Sequence, residues 1–207
     1  MTSSQIVESA IDGYERESAA SEVVETKSEI VRGKDACADA AREYAAHVAP
    51  RVISRDIIVE TPLRALLEDD ELGIRVDLVG TPDRVEGHDI GDVKTGRRLA
   101  DDAIDTSRQL AVYDLLHESE SGAPSRSVYF DNVYRSGKVW KSDRLVSHRT
   151  ESDRSAIWEI LVRATNARTQ GVALPAPEGA WWCSRKWCPH WRACPAVVGK
   201  RSRDDES

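Results

Sequence analysis

The chain has 207 residues, 40% of them hydrophobic and 31% charged, with a formal net charge of −7 at pH 7. That is enough apolar material for one core without staples, and the acidic balance argues against a broad basic face for nucleic acid. No apolar run reaches the roughly 18 residues a membrane span needs, and Met1-Thr2-Ser3-Ser4 does not open a basic-then-apolar leader. A cytoplasmic protein of a bacterium, an archaeon or a virus-infected host is therefore expected, with no membrane partner.

The predicted elements run as follows. Residues 3–48 read as mostly helical, with Ser4 and Ser21 as N-caps and apolar residues from Val31 to Val48 recurring at three- and four-residue steps; Pro50 closes the region. Strands are predicted near 55–60, 74–85 and 89–94, with Gly87 at the turn between the last two. In 74–79, Ile74, Val76 and Leu78 alternate with Arg75, Asp77 and Val79, the period of a half-buried strand. Residues 107–116 carry the pattern of an amphipathic helix, with Leu110, Val112, Leu115 and Leu116 available to a core. After the loop at Gly122-Ala123-Pro124 come a strand from Ser127 to Tyr134, a Ser136-Gly137 turn and a strand from Lys138 to Val146, with Val128, Phe130 and Val139 expected inside. A helix over 151–169 places Ile157, Ile160, Leu161 and Ala164 on one face, and Gly171 ends it. Strands and helices alternate around what reads as a mixed sheet. The expected organisation is a helical region 1–50, an α/β core 51–175, a Cys/Trp-rich clasp 176–202 and a disordered tail 203–207.

The chemistry concentrates in Gly80-Thr81-Pro82-Asp83 and Asp92-Val93-Lys94-Thr95-Gly96. Side chains two apart on a strand share a face, so Asp92 and Lys94 point the same way while Val93 packs behind them. A hairpin can bring Asp83 alongside. Two hard oxygen ligands for a divalent metal next to an ammonium group suit hydrolysis of a phosphodiester. The bland alternative is a cross-strand ion pair on a solvated face. Glu25-Thr26-Lys27 is another acid-x-Lys triplet, in a helical region, and carries no such weight.

Downstream, Gln109 and Tyr113 stand four apart and so lie one above the other on a helix. Gly80-x-x-Asp83, Asp92-x-Lys94 and Gln109-x-x-x-Tyr113, in this order, resemble the RecB-like exonuclease branch of the PD-(D/E)xK nuclease superfamily, which includes phage-type and CRISPR-associated RecB-like relatives. The resemblance spans roughly residues 55–195 and implies a restriction-endonuclease-like α/β fold. It implies Mg²⁺ or Mn²⁺ held by Asp83, Asp92 and the Val93 carbonyl, with Lys94 orienting or helping to deprotonate the attacking water. Gln109 and Tyr113 would position the nucleic acid. Many relatives add an acid from an earlier strand, for which Glu60 is the best match, with Glu68 and Glu71 as rivals. Relatives also carry a histidine upstream, where His47 is the candidate, although the glycine-led motif that usually surrounds it is absent.

A second cluster, residues 181–195, holds Cys183, Cys188 and Cys194 together with four of the six tryptophans. Without an export signal such spacing favours metal binding or packed thiols over disulfides. RecB-like relatives often join such a cluster to one distant cysteine, here Cys37, to hold a 4Fe–4S cluster. Zinc bound by the three cysteines and His190, or reduced cysteines packed among tryptophans, are the alternatives. Trp187, Trp191 or Arg192 could stack on single-stranded bases. Arg97, Arg98, Arg185, Lys186, Arg192, Lys200, Arg201 and Arg203 could line a channel for the phosphate backbone.

The expected activity is a divalent-metal-dependent deoxyribonuclease, an exonuclease acting on DNA ends or single strands in recombination, repair or phage replication, in company with recombination or replication proteins. A catalytically inactive, nuclease-derived binding or assembly subunit is the alternative. A sequence-specific restriction enzyme is disfavoured, because no separate recognition module is visible. Strand preference, polarity and oligomeric state are left open.

Overall fold

The computed structural model describes residues 2–20, 27–52 and 57–172, together with 176, 180, 183, 185, 188, 191 and 194. Helices α1 (Ser3–Ala20) and α2 (Lys27–Glu43) pack on each other, and α2 lies against the last two strands of the sheet. The cap of α1 is Thr2, not Ser4: its hydroxyl accepts from the Gln5 amide while the Gln5 side chain accepts from the Thr2 amide. This reciprocal box satisfies two donors that a helix start leaves open. Ser21 falls outside the described residues. Beyond α2 the helix widens into a π turn (Tyr44–Val48) and tightens into a 3₁₀ turn (Ala49–Arg51) at Pro50.

Strands β1 (Ile57–Val59), β4 (Arg84–Glu86), β5 (Asp89–Gly96), β6 (Ser127–Ser136) and β7 (Val139–Ser147) form one five-stranded sheet in the order β1-β4-β5-β6-β7. Only β5 and β6 run parallel. A parallel pair needs a crossover, supplied here by α3 (Arg108–Ser121), so the helix after β5 is laid across that strand. Strands β2 (Leu63–Asp69) and β3 (Ile74–Gly80) make a separate antiparallel hairpin that packs on α3. The core fills the space between: Leu63, Ala65 and Leu67 from β2, Val85 and Ile90 from the sheet, Leu110, Tyr113 and Leu116 from α3, and Val128 and Phe130 from β6.

Three departures from expectation have physical causes. Strand β2 was not anticipated, because Leu-Arg-Ala-Leu-Leu-Glu has helix-forming residues and Leu66, 50% exposed, breaks the alternation. The strand expected over 74–85 is two strands, split at Thr81-Pro82-Asp83, where Pro82 has no N–H for a ladder. Val139 is exposed at the hairpin end of β7, and Ile160 faces outward on α4 (Glu151–Thr169), while Val128, Phe130 and Ile157 are buried as expected. Helix α4 opens on a capping box between Thr150 and Asp153. It closes with Val172 donating to Ala167 and Gly171, at φ +72°, donating to Arg168.

Candidate active site

Pro82 shapes the site. The β4–β5 ladder ends at the pair Arg84–Gly91; extended two residues, the same register would set Val93 opposite Pro82, which has no N–H to give the Val93 carbonyl. The Val93 amide donates to the Asp83 carboxylate, 2.6 Å from Oδ2. In a strand the N–H and C=O of one residue point to the same side, so the Val93 carbonyl is directed toward this same opening beside Asp83.

Asp92 and Lys94 project from β5 onto the face covered by α3. Lys94 Nζ lies 2.6 Å from Asp92 Oδ2 and donates to Gln109 Oε1 at 2.8 Å. Gln109 Nε2 donates to Asp92 Oδ1 at 3.1 Å and to Tyr113 Oη at 3.0 Å, and the Tyr113 hydroxyl donates to the Thr81 carbonyl at 2.9 Å. The chain of contacts closes back onto the Thr81–Asp83 break. Gly80 makes the approach possible: a Cβ there would stand 2.6 Å from Leu116 Cδ1 and 3.0 Å from Tyr113 Cε1. Ser107 fixes the start of α3 by accepting from the Leu110 amide. The Lys94 ammonium also sits over the Phe130 ring, 5.4 Å from its centroid.

The Asp92 side chain is only 4% exposed, and its Oδ2 is paired with the Lys94 ammonium at 2.6 Å. Burial pushes the Asp92 carboxyl above the usual carboxylate range, Lys94 pulls it back, and the charge of Asp83 pushes it up again. A buried acid paired with a lysine, a second acid close enough to raise its pKa and a carbonyl directed at the same opening form a donor set suited to a hard divalent cation.

Glu60 and His47 do not join this group. The Glu60 amide donates to the Asp83 carbonyl at 3.2 Å, so its backbone adjoins the site, but φ is +48° and the side chain is exposed. His47 stands on the π turn, 60% exposed, with Nε2 3.8 Å from Glu43. Glu68 pairs with Arg75, away from the site. Among the described residues no three His, Cys, Asp or Glu side chains converge closely enough to hold a metal ion. None of the four cysteines is in a disulfide, and the Cys37 thiol donates to the Ala10 carbonyl at 3.4 Å. They are not gathered into a ligand set, and His190 lies outside the described residues. Trp191 is buried, which removes it from base stacking; Trp187, Lys186, Arg192, Lys200, Arg201 and Arg203 lie outside the described residues. Arg98 is engaged by Asp101 and Asp143, while Arg97 is exposed at the end of β5.

Thr81, Phe130 and Asn132 were missed in the sequence. The signal for Asn132 was present: Asp131-Asn132 interrupts the apolar run Val128-Tyr129-Phe130…Val133, and both are fully buried. Asp131 belongs to the opposite face, where it accepts from Arg84 and, through both oxygens, from Arg144 at 2.8 and 2.7 Å.

A mixed sheet with a β-β-α unit that sets two acids, a lysine, a glutamine and a tyrosine around one strand break defines a restriction-endonuclease-like α/β protein. The model of the PD-(D/E)XK nuclease superfamily matches residues 3–195, and the chain belongs to that superfamily. Among solved structures it is similar to a candidate exonuclease of Eubacterium rectale, with 14% identity over 93% of this chain and 74% of that one and a TM-score of 0.51, a likeness of fold. SSO0001 matches over 96% of this chain and 98% of its own at 14% identity, with a TM-score of 0.41, too low to carry an argument. No curated protein matches. Among the described residues no helix is long and apolar enough to cross a membrane.

Proposed function

We propose that the protein is a divalent-metal-dependent deoxyribonuclease, an exonuclease working on DNA ends or single strands in recombination, repair or phage replication. One observation carries the reading: Asp92, Lys94, Gln109 and Tyr113 form one connected set of polar contacts beside the break between β3 and β4, where the Asp83 carboxylate accepts from the Val93 amide and lies close enough to Asp92 to raise its pKa. Asp83, Asp92 and the Val93 carbonyl would hold Mg²⁺ or Mn²⁺, and the exposed Glu60 side chain, whose backbone adjoins Asp83, would be the nearest match for a further acid from an earlier strand. The cation supplies stabilisation of the charge that builds on the phosphoryl and leaving oxygens. Lys94 orients the attacking water and takes part in moving its proton, while Gln109, anchored by Tyr113, holds Lys94 and Asp92 in register. Arg97 and Arg108, exposed at the end of β5 and the start of α3, supply contacts to the phosphate backbone.

The rival, a binding subunit without turnover, is favoured by the lack of a third converged ligand among the described residues. Gel shift of labelled DNA in EDTA, run beside digestion in Mg²⁺ or Mn²⁺, separates the two. Metal-dependent shortening from an end supports the exonuclease; binding with intact DNA in every metal supports the subunit. The Cys/Trp segment acts as a clasp, and a 4Fe–4S or zinc site there requires Cys183, Cys188 and Cys194 to close on one another. Metal analysis of anaerobically purified protein tests that. Limited proteolysis tests the proposed boundaries at 50, 175 and 202.

A further inference from the structure

We infer that Asn132 is a positioning residue that receives the Lys94 ammonium when a divalent cation takes Asp92; the inference rests on the nuclease reading of the site. Asn132 is paired with Lys94 in the parallel β5–β6 register, two pairs beyond Asp92 and Phe130 and so on the same face. Paired residues of neighbouring strands share a face, so the Asn132 side chain adjoins the Lys94 stem on the side away from Asp92. It is fully buried, and its Oδ1 has no hydrogen-bond partner. The orientation of the amide is fixed by chemistry: Nδ2 donates to Asp143 Oδ1 at 3.3 Å, Asp143 is itself held by Arg98, and a flipped amide would set two acceptors against each other. The unmet group is thus an acceptor, one strand away from a cation.

An acceptor left unpaired in a protein interior costs stability, and its retention calls for a reason. Lys94 provides it. In the metal-free protein the ammonium leans on Asp92 Oδ2 and Gln109 Oε1. With Asp92 engaged by a cation, the ammonium would lose that carboxylate, and the long lysine stem would turn across the Phe130 ring to Asn132 Oδ1, a buried acceptor on the residue paired with Lys94. The residue that must stay beside the reacting water is held there instead of being expelled to solvent. A buried water on Oδ1 is the competing explanation, and it gives Asn132 no influence on metal binding.

The test is a double-mutant cycle on Mn²⁺ affinity, measured by calorimetry with the full chain and no DNA. Asn132→Leu should weaken Mn²⁺ binding about tenfold, the scale of one hydrogen bond to a charged group, while leaving the metal-free melting temperature unchanged or higher. In a K94M background, where there is no ammonium to receive, the same substitution should leave Mn²⁺ affinity unchanged. Asn132→Ala, read in the same cycle, gives the same pattern if the leucine packs poorly. Equal weakening in both backgrounds, or none in either, overturns the assignment to Asn132 while leaving the nuclease site intact. Absence of Mn²⁺ binding to the unmutated protein overturns both.

Discussion

Asp92→Asn should make the metal-free protein melt higher and abolish its response to divalent metal. The carboxylate is 4% exposed and paired with Lys94 at 2.6 Å, yet burial is the largest influence on its pKa and pushes it upward. A carboxyl raised in the native state binds its proton more tightly folded than unfolded. Its cost is therefore absent below the ordinary carboxylate range, grows as pH rises toward the elevated native value, and is fully present above it. Burial of a polar group that its partners only partly offset costs about 1–3 kcal/mol, and Lys94, 35% exposed, can turn to water when its partner is neutralised. A net gain of about 1 kcal/mol corresponds to about 2–4 °C in a chain of this size. Mn²⁺ at about 100 times its Kd should add about 2.7 kcal/mol to the unmutated protein and nothing to the variant, reversing their order. Scanning calorimetry with and without Mn²⁺ at pH 7, repeated at pH 4, reads all of this. A variant that melts lower without metal, or gains as much from Mn²⁺, refutes the reasoning.

Asp131→Ala leaves Arg84 and the half-buried Arg144 without their shared anion, so urea denaturation should show a loss of about 3–5 kcal/mol; a near-neutral result would mean the two guanidiniums find water. His117 meets His88 across 3.2 Å, and its pKa is lowered by burial first and by His88 second, against Asp114 and Glu120. Stability from this group is complete above the ordinary histidine pKa and is lost as pH falls through the lowered value, so the melting temperature should drop on acidification below about pH 6.5. His117→Gln should flatten that stretch of the profile; an unchanged slope would place the titration elsewhere. Tyr113→Phe removes the tie from Gln109 to the Thr81 carbonyl, costing about 0.5–1.5 kcal/mol in stability and slowing cleavage more than it weakens DNA binding. Equal effects on both would make Tyr113 a packing residue alone.

The motif residues were legible in the sequence because strand and helix periods are local. Asp92 and Lys94 had to share a face, and Gln109 had to stack on Tyr113. What the periods could not convey was how far the elements would converge. Glu60, expected as a further acid at the metal, bonds through its amide to the Asp83 carbonyl, but its backbone is left-handed and its side chain is exposed, which no sequence period conveys. Strand β2 was hidden because its leucines and alanine suit a helix equally, and only pairing with β3 decides between them. Asn132 and Asp131 serve opposite faces of β6 although adjacent in sequence, so their partners depend on which strands flank them. The cysteines illustrate the reverse case. Their spacing is conspicuous in the sequence, yet the described structure leaves Cys37 hydrogen-bonded to α1 and the other three ungathered.

The central claim is that the acids and the lysine beside the β3–β4 break perform phosphodiester hydrolysis. Single-turnover digestion of end-labelled DNA in Mg²⁺ by the unmutated protein, Asp83→Asn, Asp92→Asn and Lys94→Met, with folding checked by circular dichroism, tests it most directly. Each variant should lose at least about a hundredfold in rate while remaining folded and still binding DNA. Undiminished cleavage by folded Lys94→Met together with folded Asp92→Asn would contradict the account.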